Sequence, residues 1–182
     1  MAETGNQVLR RYLDEAITAE KAIEAQLEEF AAAASDDSEI QELFRLHAGE
    51  TRSQQERLAA RLTALGGSEH ARNPLASFFE HAPKLPQAVH TIEERALRNL
   101  IAGYTAETAE IAFYEALANV ARAAGDPDTE ALARAIQDEE RIMAEKLWYL
   151  LPSRSKIAFN MLTVTEVDPA VETKMADDRV GS

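Results

Sequence analysis

The sequence predicts an all-α protein, an antiparallel four-helix bundle built from two helical hairpins that a long crossover joins. Three observations predict it. The hydrophobic fraction is 46%, and only 7 Gly and 6 Pro occur among 182 residues, a composition typical of helical proteins. Four segments carry apolar residues at three- and four-residue steps, which places them on one helix face. The connections between these segments are short, long and short, and short connections join antiparallel neighbours.

Capping signals give the boundaries of the first hairpin. The first helix is predicted from residue 7 to residue 34. The stretch Ser-Asp-Asp-Ser at 35–38 then ends it and caps the second helix, because carboxylates and hydroxyls accept the free N–H groups of a helix start. The second helix is predicted to stop at Gly66-Gly67, which suits a left-handed C-cap.

The second hairpin follows an irregular crossover. A short helix is predicted after Asn73-Pro74, and the third helix from Pro86 to Ala124. A compact stop and restart at residues 125–127 leads into the fourth helix, which is predicted to end at Pro152. We therefore expect a bundle over residues 1–152 and a C-terminal tail over 153–182.

The tail contains the apolar stretch IAFNMLTV at 157–164, followed by polar residues. Two interpretations remain open for it. The tail docks as an extended peptide on a neighbouring subunit or another partner, or the terminus is disordered.

Each predicted helix carries a glutamate in the middle of its apolar stripe. These residues are Glu20, Glu50, Glu107 and Glu139. A carboxylate buried in a bundle core must be protonated, paired or bound to a cation, because an isolated buried charge is strongly destabilising. Four such residues predict a metal site. The alternative for any single one is a surface or interface position.

The two halves of the chain repeat this pattern. Residues 50–58 (ETRSQQERL) align without gaps on 139–147 (EERIMAEKL), and residues 19–30 (AEKAIEAQLEEF) align on 106–117 (AETAEIAFYEAL). The pattern thus indicates two similar helical hairpins in sequence, and each half contributes two stripe glutamates. Scattered surface glutamates would not keep this register, so the repeat favours the metal interpretation.

Charge and cysteine content exclude several classes of function. The absence of cysteine excludes disulfides, thiolate metal sites and iron–sulfur clusters. The net charge of −13 argues against nonspecific binding to nucleic acid or to an anionic membrane. The sequence shows neither a long apolar run nor a basic-then-apolar N-terminal signal. We therefore expect a cytoplasmic protein that binds neither nucleic acid nor membrane.

Four stretches of the chain resemble the ferritin-like superfamily of carboxylate-bridged di-iron proteins, and more closely the bacterial YciE/YciF-type stress proteins. They are RYLDEAITAEKAIEAQL, LFRLHAGETRSQQERL, AETAEIAFYEAL and ALARAIQDEERIMAEKL, and they cover most of residues 11–151. The resemblance implies a ferritin-like bundle with a dinuclear iron or manganese centre between the helices. It also implies a homodimer.

The usual motif of this superfamily places one Glu on each of two helices and Glu-x-x-His on the other two. The resemblance assigns Glu20 and Glu107 to the single-Glu positions. It assigns Glu50 and Glu139 to the first positions of the paired motifs. The expected histidines are absent, since serine and isoleucine stand three residues after these two glutamates.

Two further residues complete the predicted ligand set. His47 lies one turn before Glu50, and Glu110 lies one turn after Glu107. The alternatives are that His47 hydrogen-bonds a carboxylate and that Glu110 belongs to a surface pair. Such an oxygen-rich set suits iron or manganese better than copper or structural zinc. The predicted metal ligands are Glu20, His47, Glu50, Glu107, Glu110 and Glu139.

Two hypotheses of different classes follow. The first is a di-iron or di-manganese carboxylate protein that reacts with oxygen or peroxide in oxidative or general stress protection, as a ferroxidase or a peroxidase-type oxidoreductase. Without cysteine, it needs a separate reductant or ferrous iron as the reducing substrate. The alternative is a non-enzymatic helical scaffold or interaction protein with a vestigial metal site; an iron-storage cage ranks below both. In the scaffold, the buried glutamates pair with Arg45, Arg52, Arg57, Arg141 or Lys146.

Overall fold

The computed structural model of the protein describes residues 3–69 and 91–164. These residues form four helices and no strand, which confirms the predicted all-α four-helix class. The helices are α1 (Gly5–Ala33), α2 (Ser38–Ala64), α3 (Ile92–Ala124) and α4 (Pro127–Val164).

Local sequence signals begin and end these helices. At the start of α2, a side-chain oxygen of Asp37 accepts the backbone N–H of Ile40 at 3.2 Å. Helix α3 ends at Gly125 with a φ of 73°, a left-handed conformation that glycine adopts without steric strain. The two tight turns therefore lie close to their predicted positions.

The helices pair as two hairpins. Helix α1 packs along α2, and α3 packs along α4, while contacts between α1 and α3 join the hairpins and α2 meets α4 less extensively. The interior contains two apolar clusters. One cluster includes Leu13, Ile17, Leu58, Leu62, Leu117 and Ile136. The other includes Ile23, Leu27, Phe44, Leu100, Met143 and Leu147.

Every helix runs from one apolar cluster to the other. In α1, for example, Ile17 belongs to one cluster and Ile23 to the other, with Glu20 between them. The same order holds in α4, where Glu140 lies between Ile136 and Met143. The bundle therefore has a polar layer enclosed between two apolar ones.

The fourth helix continues through Pro152 to Val164, so the prediction that it ends at Pro152 was wrong. Proline lacks the N–H that a helix interior uses and usually ends or kinks the helix. Here tertiary contacts hold the continuation in place. The guanidinium of Arg154 forms ion pairs with Asp37 at 2.7 Å and with Glu39 at 2.6 Å. We call this ion-pair cluster the Arg154 junction.

Packing supports the same extension, because Ala158 on its inner side is 2% exposed. The apolar stretch that begins at residue 157 is therefore helical and not extended as far as residue 164. The predicted crossover helix after Asn73-Pro74, the predicted helix start at Pro86 and residues 165–182 of the tail lie outside the described residues. None of the four described helices is long and apolar enough to span a lipid bilayer.

Candidate metal centre

All four helices contribute side chains to the layer between the apolar clusters. Helical spacing brings these side chains together, since residues three, four and seven positions apart share one face. We call this set the polar layer, and none of its members is more than 2% exposed. They are Glu20 of α1; His47, Thr51 and Gln54 of α2; Glu107 and Glu110 of α3; and Glu140 of α4.

His47 links three carboxylates. Its Nε2 lies 2.9 Å from Oε1 of Glu107 and 3.8 Å from Oε2 of Glu140, and its Nδ1 lies 3.3 Å from Oε2 of Glu50. Burial lowers the pKa of His47, but the hydrogen bonds to Glu107 and Glu50 outweigh this effect and raise it to about 9. In the metal-free protein at neutral pH, the ring is therefore protonated and donates to both carboxylates.

His47, Glu107 and Glu140 form the most compact group of potential ligands. One ligand atom of each lies within 4.8 Å of the other two. A group this compact could hold one metal ion, whose bonds to imidazole nitrogen and carboxylate oxygen are about 2.0–2.2 Å long. For a cation to bind, the imidazole must first release its proton.

Glu20 extends the layer toward α3. It accepts a hydrogen bond from the hydroxyl group of the buried Tyr114. Burial raises the pKa of Glu20 to about 8, although the hydrogen bond from Tyr114 and the charge of His47 act in the opposite direction. At neutral pH the metal-free protein therefore keeps this carboxyl group largely protonated.

Glu110 and Glu140 experience the same effect. Burial raises the pKa of Glu110 well above its ordinary value, and the neighbouring Glu20 and Glu140 raise it further. Burial likewise raises the pKa of Glu140, and the charges of Glu20 and Glu107 raise it further. Several carboxyl groups thus lie close together away from water. Only protons or cations can reduce the repulsion between their negative charges.

Six buried oxygen atoms of the polar layer have no hydrogen-bond partner. Buried polar groups in proteins are nearly always partnered, so a cluster of exceptions requires an explanation. Carboxylate, hydroxyl and amide oxygens are hard ligands that suit manganese and iron. The residues present therefore fit a metal centre. The unpartnered atoms are Oε2 of Glu20, Oγ1 of Thr51, Oε1 of Gln54, Oε2 of Glu107, Oε1 of Glu110 and Oε2 of Glu140.

The structure separates the six predicted ligands into two groups. Four lie in the polar layer: Glu20, His47, Glu107 and Glu110. The other two lie at its edge, where 48% of the Glu50 side chain and 39% of the Glu139 side chain are exposed. Glu139 receives two hydrogen bonds from Arg57, one of them 2.9 Å long, and one of 3.1 Å from Gln54.

Glu140 is the acidic member of the layer that the sequence analysis missed. Its helix does carry the relevant signal, because Glu140 lies four residues after Ile136 and three before Met143, both of which are buried. Glu139 lies three after and four before the same two residues. Both spacings fit a helical stripe, and the repeat alignment with Glu50 favoured Glu139.

Three of the five basic residues named in the scaffold hypothesis form ion pairs with carboxylates outside the polar layer. Arg57 pairs with Glu139, Arg141 with Asp138 at 2.7 Å, and Arg52 with Glu24 and Glu28. Within residues 3–69 and 91–164, no arginine or lysine forms an ion pair with the four buried glutamates of the layer. Among the described residues, the protonated His47 is therefore the one side-chain cation that contacts these glutamates, and added cations can neutralise the remaining carboxylates.

Comparison with known proteins is consistent with this architecture. Residues 4–159 match a family described as "Domain of unknown function (DUF892)". The structure is similar to that of a protein from Xanthomonas campestris pv. campestris, with a TM-score of 0.74 and 22% identity, covering 87% of this chain and 98% of that one. It is also similar to the E. coli stress protein YciF, with a TM-score of 0.72 and 25% identity, covering 85% and 99% respectively.

A more distant similarity concerns a Dps protein from Vibrio cholerae O1, described as a member of a broad superfamily of ferritin-like diiron-carboxylate proteins. The TM-score is 0.64 at 15% identity, and the match covers 81% of this chain and 91% of that one. These likenesses confirm the ferritin-like bundle and the expected similarity to YciF. Because the family match extends over most of the sequence, the chain belongs to the DUF892 family, and its fold is that of a ferritin-like four-helix bundle.

Proposed function

We propose that this protein is a dinuclear metal-carboxylate protein that binds iron or manganese in the polar layer and reacts with oxygen or hydrogen peroxide in stress protection. The observation that carries the proposal is the cluster of buried oxygen atoms without hydrogen-bond partners. The proposed ligands are Glu20, His47, Glu107, Glu110 and Glu140.

Charge balance supports two metal ions. The layer contains four buried glutamates, Glu20, Glu107, Glu110 and Glu140. When all four are ionised they carry four negative charges, which two divalent cations neutralise. A single divalent cation would leave two negative charges in a medium of low dielectric constant, or would require that two of the carboxyl groups stay protonated.

Glu20, His47, Glu107, Glu110 and Glu140 would hold the metal pair, which in its ferrous or manganous form would supply the two electrons that the reduction of peroxide to water requires. The protein's own residues prepare the site for this reaction. Tyr114 orients Glu20 through its hydroxyl group. The apolar clusters on both sides of the layer, which include Leu58 and Leu147, exclude bulk water. Because the chain has no cysteine, electrons must come from ferrous iron itself or from a separate reductant.

Two relatives support the biological role in the proposal. YciF of E. coli is described as a stress protein, and the Vibrio cholerae Dps protein as a member of a diiron-carboxylate superfamily. By analogy we assign the present chain to stress protection, through consumption of peroxide or oxidation of ferrous iron. The homodimer and the cytoplasmic location stay predictions, which light scattering of the purified protein and cell fractionation can check.

The decisive experiment measures metal per chain. The protein is purified without a metal-affinity tag and loaded anaerobically with ferrous iron, next to a variant in which Glu20, Glu107, Glu110 and Glu140 are changed to Gln. A matched control changes four exposed glutamates, which are Glu29, Glu42, Glu56 and Glu145.

We expect about two metal ions per chain in the parent and the control, and none in the buried variant, which keeps its helical circular dichroism. Peroxide added to the loaded parent should disappear faster than in the buried variant. Absence of bound metal in the parent after anaerobic loading would overturn the proposal and favour the scaffold hypothesis.

A further inference from the structure

We infer that divalent cations reach the polar layer between α2 and α4, where Glu50 and Glu139 capture them first and Arg57 opposes their passage. This inference rests on the proposed function and concerns the route to the same site. The α2–α4 seam comprises Glu50, Gln54 and Arg57 of α2 with Glu139 and Glu140 of α4.

Two hydrogen-bonded paths lead inward from the exposed carboxylates of the seam. In the first, His47 connects Glu50 at 3.3 Å with the buried Glu107 at 2.9 Å. In the second, the amide nitrogen of Gln54 donates to Glu139 at 3.1 Å and also to the buried Glu140. Glu50 therefore contacts the proposed ligand His47 directly, and Glu139 is one side chain away from the proposed ligand Glu140.

Two buried oxygen atoms of α2 have no hydrogen-bond partner. Oγ1 of Thr51 and Oε1 of Gln54 are buried on α2 and form no hydrogen bond. Thr51 follows Glu50 directly in the chain and lies one turn before Gln54. A cation that leaves water at the seam thus finds replacement oxygen ligands on its way inward, which lowers the barrier of dehydration.

Other routes into the layer pass along the bundle axis or between helices that pack more extensively than α2 and α4 do. Along the bundle axis a cation would have to cross an apolar cluster, where no ligand replaces its water. In the α1–α2 contact, Arg52 and Gln55 donate hydrogen bonds to Glu24. In the α3–α4 contact, Gln137 donates to Glu115 at 3.0 Å and to the backbone of α3. Among the neighbouring helix pairs, α2 and α4 have the least extensive contact.

Arg57 lies in the seam as a competing cation. Its guanidinium donates two hydrogen bonds to Glu139, and its charge also acts on Glu20 in the layer. A divalent cation that binds Glu139 must displace this guanidinium. Glu139 and Arg57 should therefore have opposite effects on the rate of uptake, although they form one ion pair.

The test follows the binding of Co²⁺ to the metal-free, full-length protein in a stopped-flow spectrometer. We compare the parent with Glu50→Gln, Glu139→Gln and Arg57→Gln. Glu56→Gln serves as the control, because it removes the same charge from an exposed position on α2 away from the seam.

We expect Glu50→Gln and Glu139→Gln to load up to about tenfold more slowly, since local negative charge raises the encounter rate of cations. Arg57→Gln should load faster than the parent, and the control should match the parent. All variants should reach the same final amount of Co²⁺ per chain. Added salt should slow the parent more than the Glu139→Gln variant, because it screens the attraction.

The opposite signs separate this inference from a purely structural role of the ion pair. If Glu139→Gln and Arg57→Gln change the loading rate in the same direction, or leave it unchanged, the route is wrong. A lower final occupancy in Glu139→Gln would also overturn the inference, because Glu139 would then be a ligand. If the parent itself binds no Co²⁺, the proposed function fails and the inference fails with it.

Discussion

The polar layer and the Arg154 junction both contain carboxyl groups at helix contacts, but only the junction provides an arginine partner for them. At the junction, Asp37 and Glu39 face a guanidinium with short, well-formed ion pairs. In the polar layer, one imidazole contacts two of the four buried carboxyl groups, and several oxygens have no hydrogen-bond partner. The junction is electrostatically complete, whereas the layer is completed only by protons or by added cations. Paired charges here hold the structure together, and buried carboxyl groups without a complete set of partners mark the proposed metal centre.

The largest expected effect comes from removing a carboxylate of the layer. Glu107→Gln should weaken Fe²⁺ or Mn²⁺ binding by on the order of a hundredfold. Loss of a metal ligand should lower the affinity at least as much as loss of a residue that hydrogen-bonds a ligand. Glu20→Gln removes the equivalent residue of the first hairpin and should act in the same direction. Equilibrium titration with Mn²⁺, followed by the electron paramagnetic resonance of the free ion, measures both. Unchanged binding in both variants would contradict the assignment of the layer.

The ionisable groups of the polar layer and of the Arg154 junction should change the free energy of unfolding in opposite directions as the pH rises. In the metal-free protein, the Glu20 pKa is raised to about 8 from 4.5, and the His47 pKa to about 9 from 6.5. Both folded-state groups hold protons that the unfolded chain releases at lower pH. Their contribution to stability is therefore complete below pH 4.5 for Glu20 and below pH 6.5 for His47, and it is lost as the pH rises to 8 and 9.

The measurement is urea unfolding between pH 5 and pH 9, with chelator and with saturating Mn²⁺. We expect the free energy of unfolding of the metal-free protein to fall as the pH rises, and the stabilisation by metal to grow over the same range. A control is Asp37 at the junction, where burial raises the pKa but the hydrogen bonds from Arg154 and Ile40 lower it overall. Its contribution is present at neutral pH and is lost only in acid, below the ordinary pKa of 3.8.

Tyr114→Phe should have a smaller effect on the layer. The substitution removes the hydroxyl group that donates to Glu20 and keeps the buried ring. We expect Mn²⁺ affinity to fall by about tenfold, the usual effect of losing a partner that orients a ligand. Tyr104→Phe is the matched control, since Tyr104 is only partly buried and packs against an apolar cluster. Equal affinities of the two variants would show that the hydroxyl of Tyr114 does not orient Glu20.

The smallest expected effect is at the junction. Arg154→Ala removes the ion pairs with Asp37 and Glu39 and should lower the free energy of unfolding by about 1 kcal/mol. The variant should also lose helical circular dichroism from the end of α4, because Pro152 then has less tertiary support. Metal binding should be unaffected. A loss of metal affinity in Arg154→Ala would show that the junction and the polar layer are coupled and do not act independently.

The features that could be read from the sequence are those that depend on neighbours along the chain. Apolar residues at three- and four-residue spacing predicted the helices, and Gly125 predicted the turn between α3 and α4. The repeat pointed to Glu20 and Glu107, which lie between two apolar clusters in their helices. Each of these signals is local, so it survives without knowledge of the packing.

The choice between Glu139 and Glu140 could not be read in the same way. Successive residues on a helix point about 100° apart, so either one can adjoin an apolar stripe. The packing of α4 against its neighbours buries the side chain of Glu140, which is 0% exposed. Glu139 lies at the edge of the layer and forms an ion pair with Arg57. Pro152 is a second example, because the local rule for proline was overridden by contacts of Arg154 that lie far away in the sequence.

By itself the sequence determined that this protein is a bundle of two similar hairpins with acidic residues in its helical stripes. Apolar periodicity and helix capping depend on residues that are close in the sequence, so they can be recognised without the tertiary structure. Only the tertiary structure decided which carboxylates share the polar layer and which reach solvent at the α2–α4 seam. The physical reason is that burial, repulsion between like charges and the absence of a hydrogen-bond partner depend on all four helices at once.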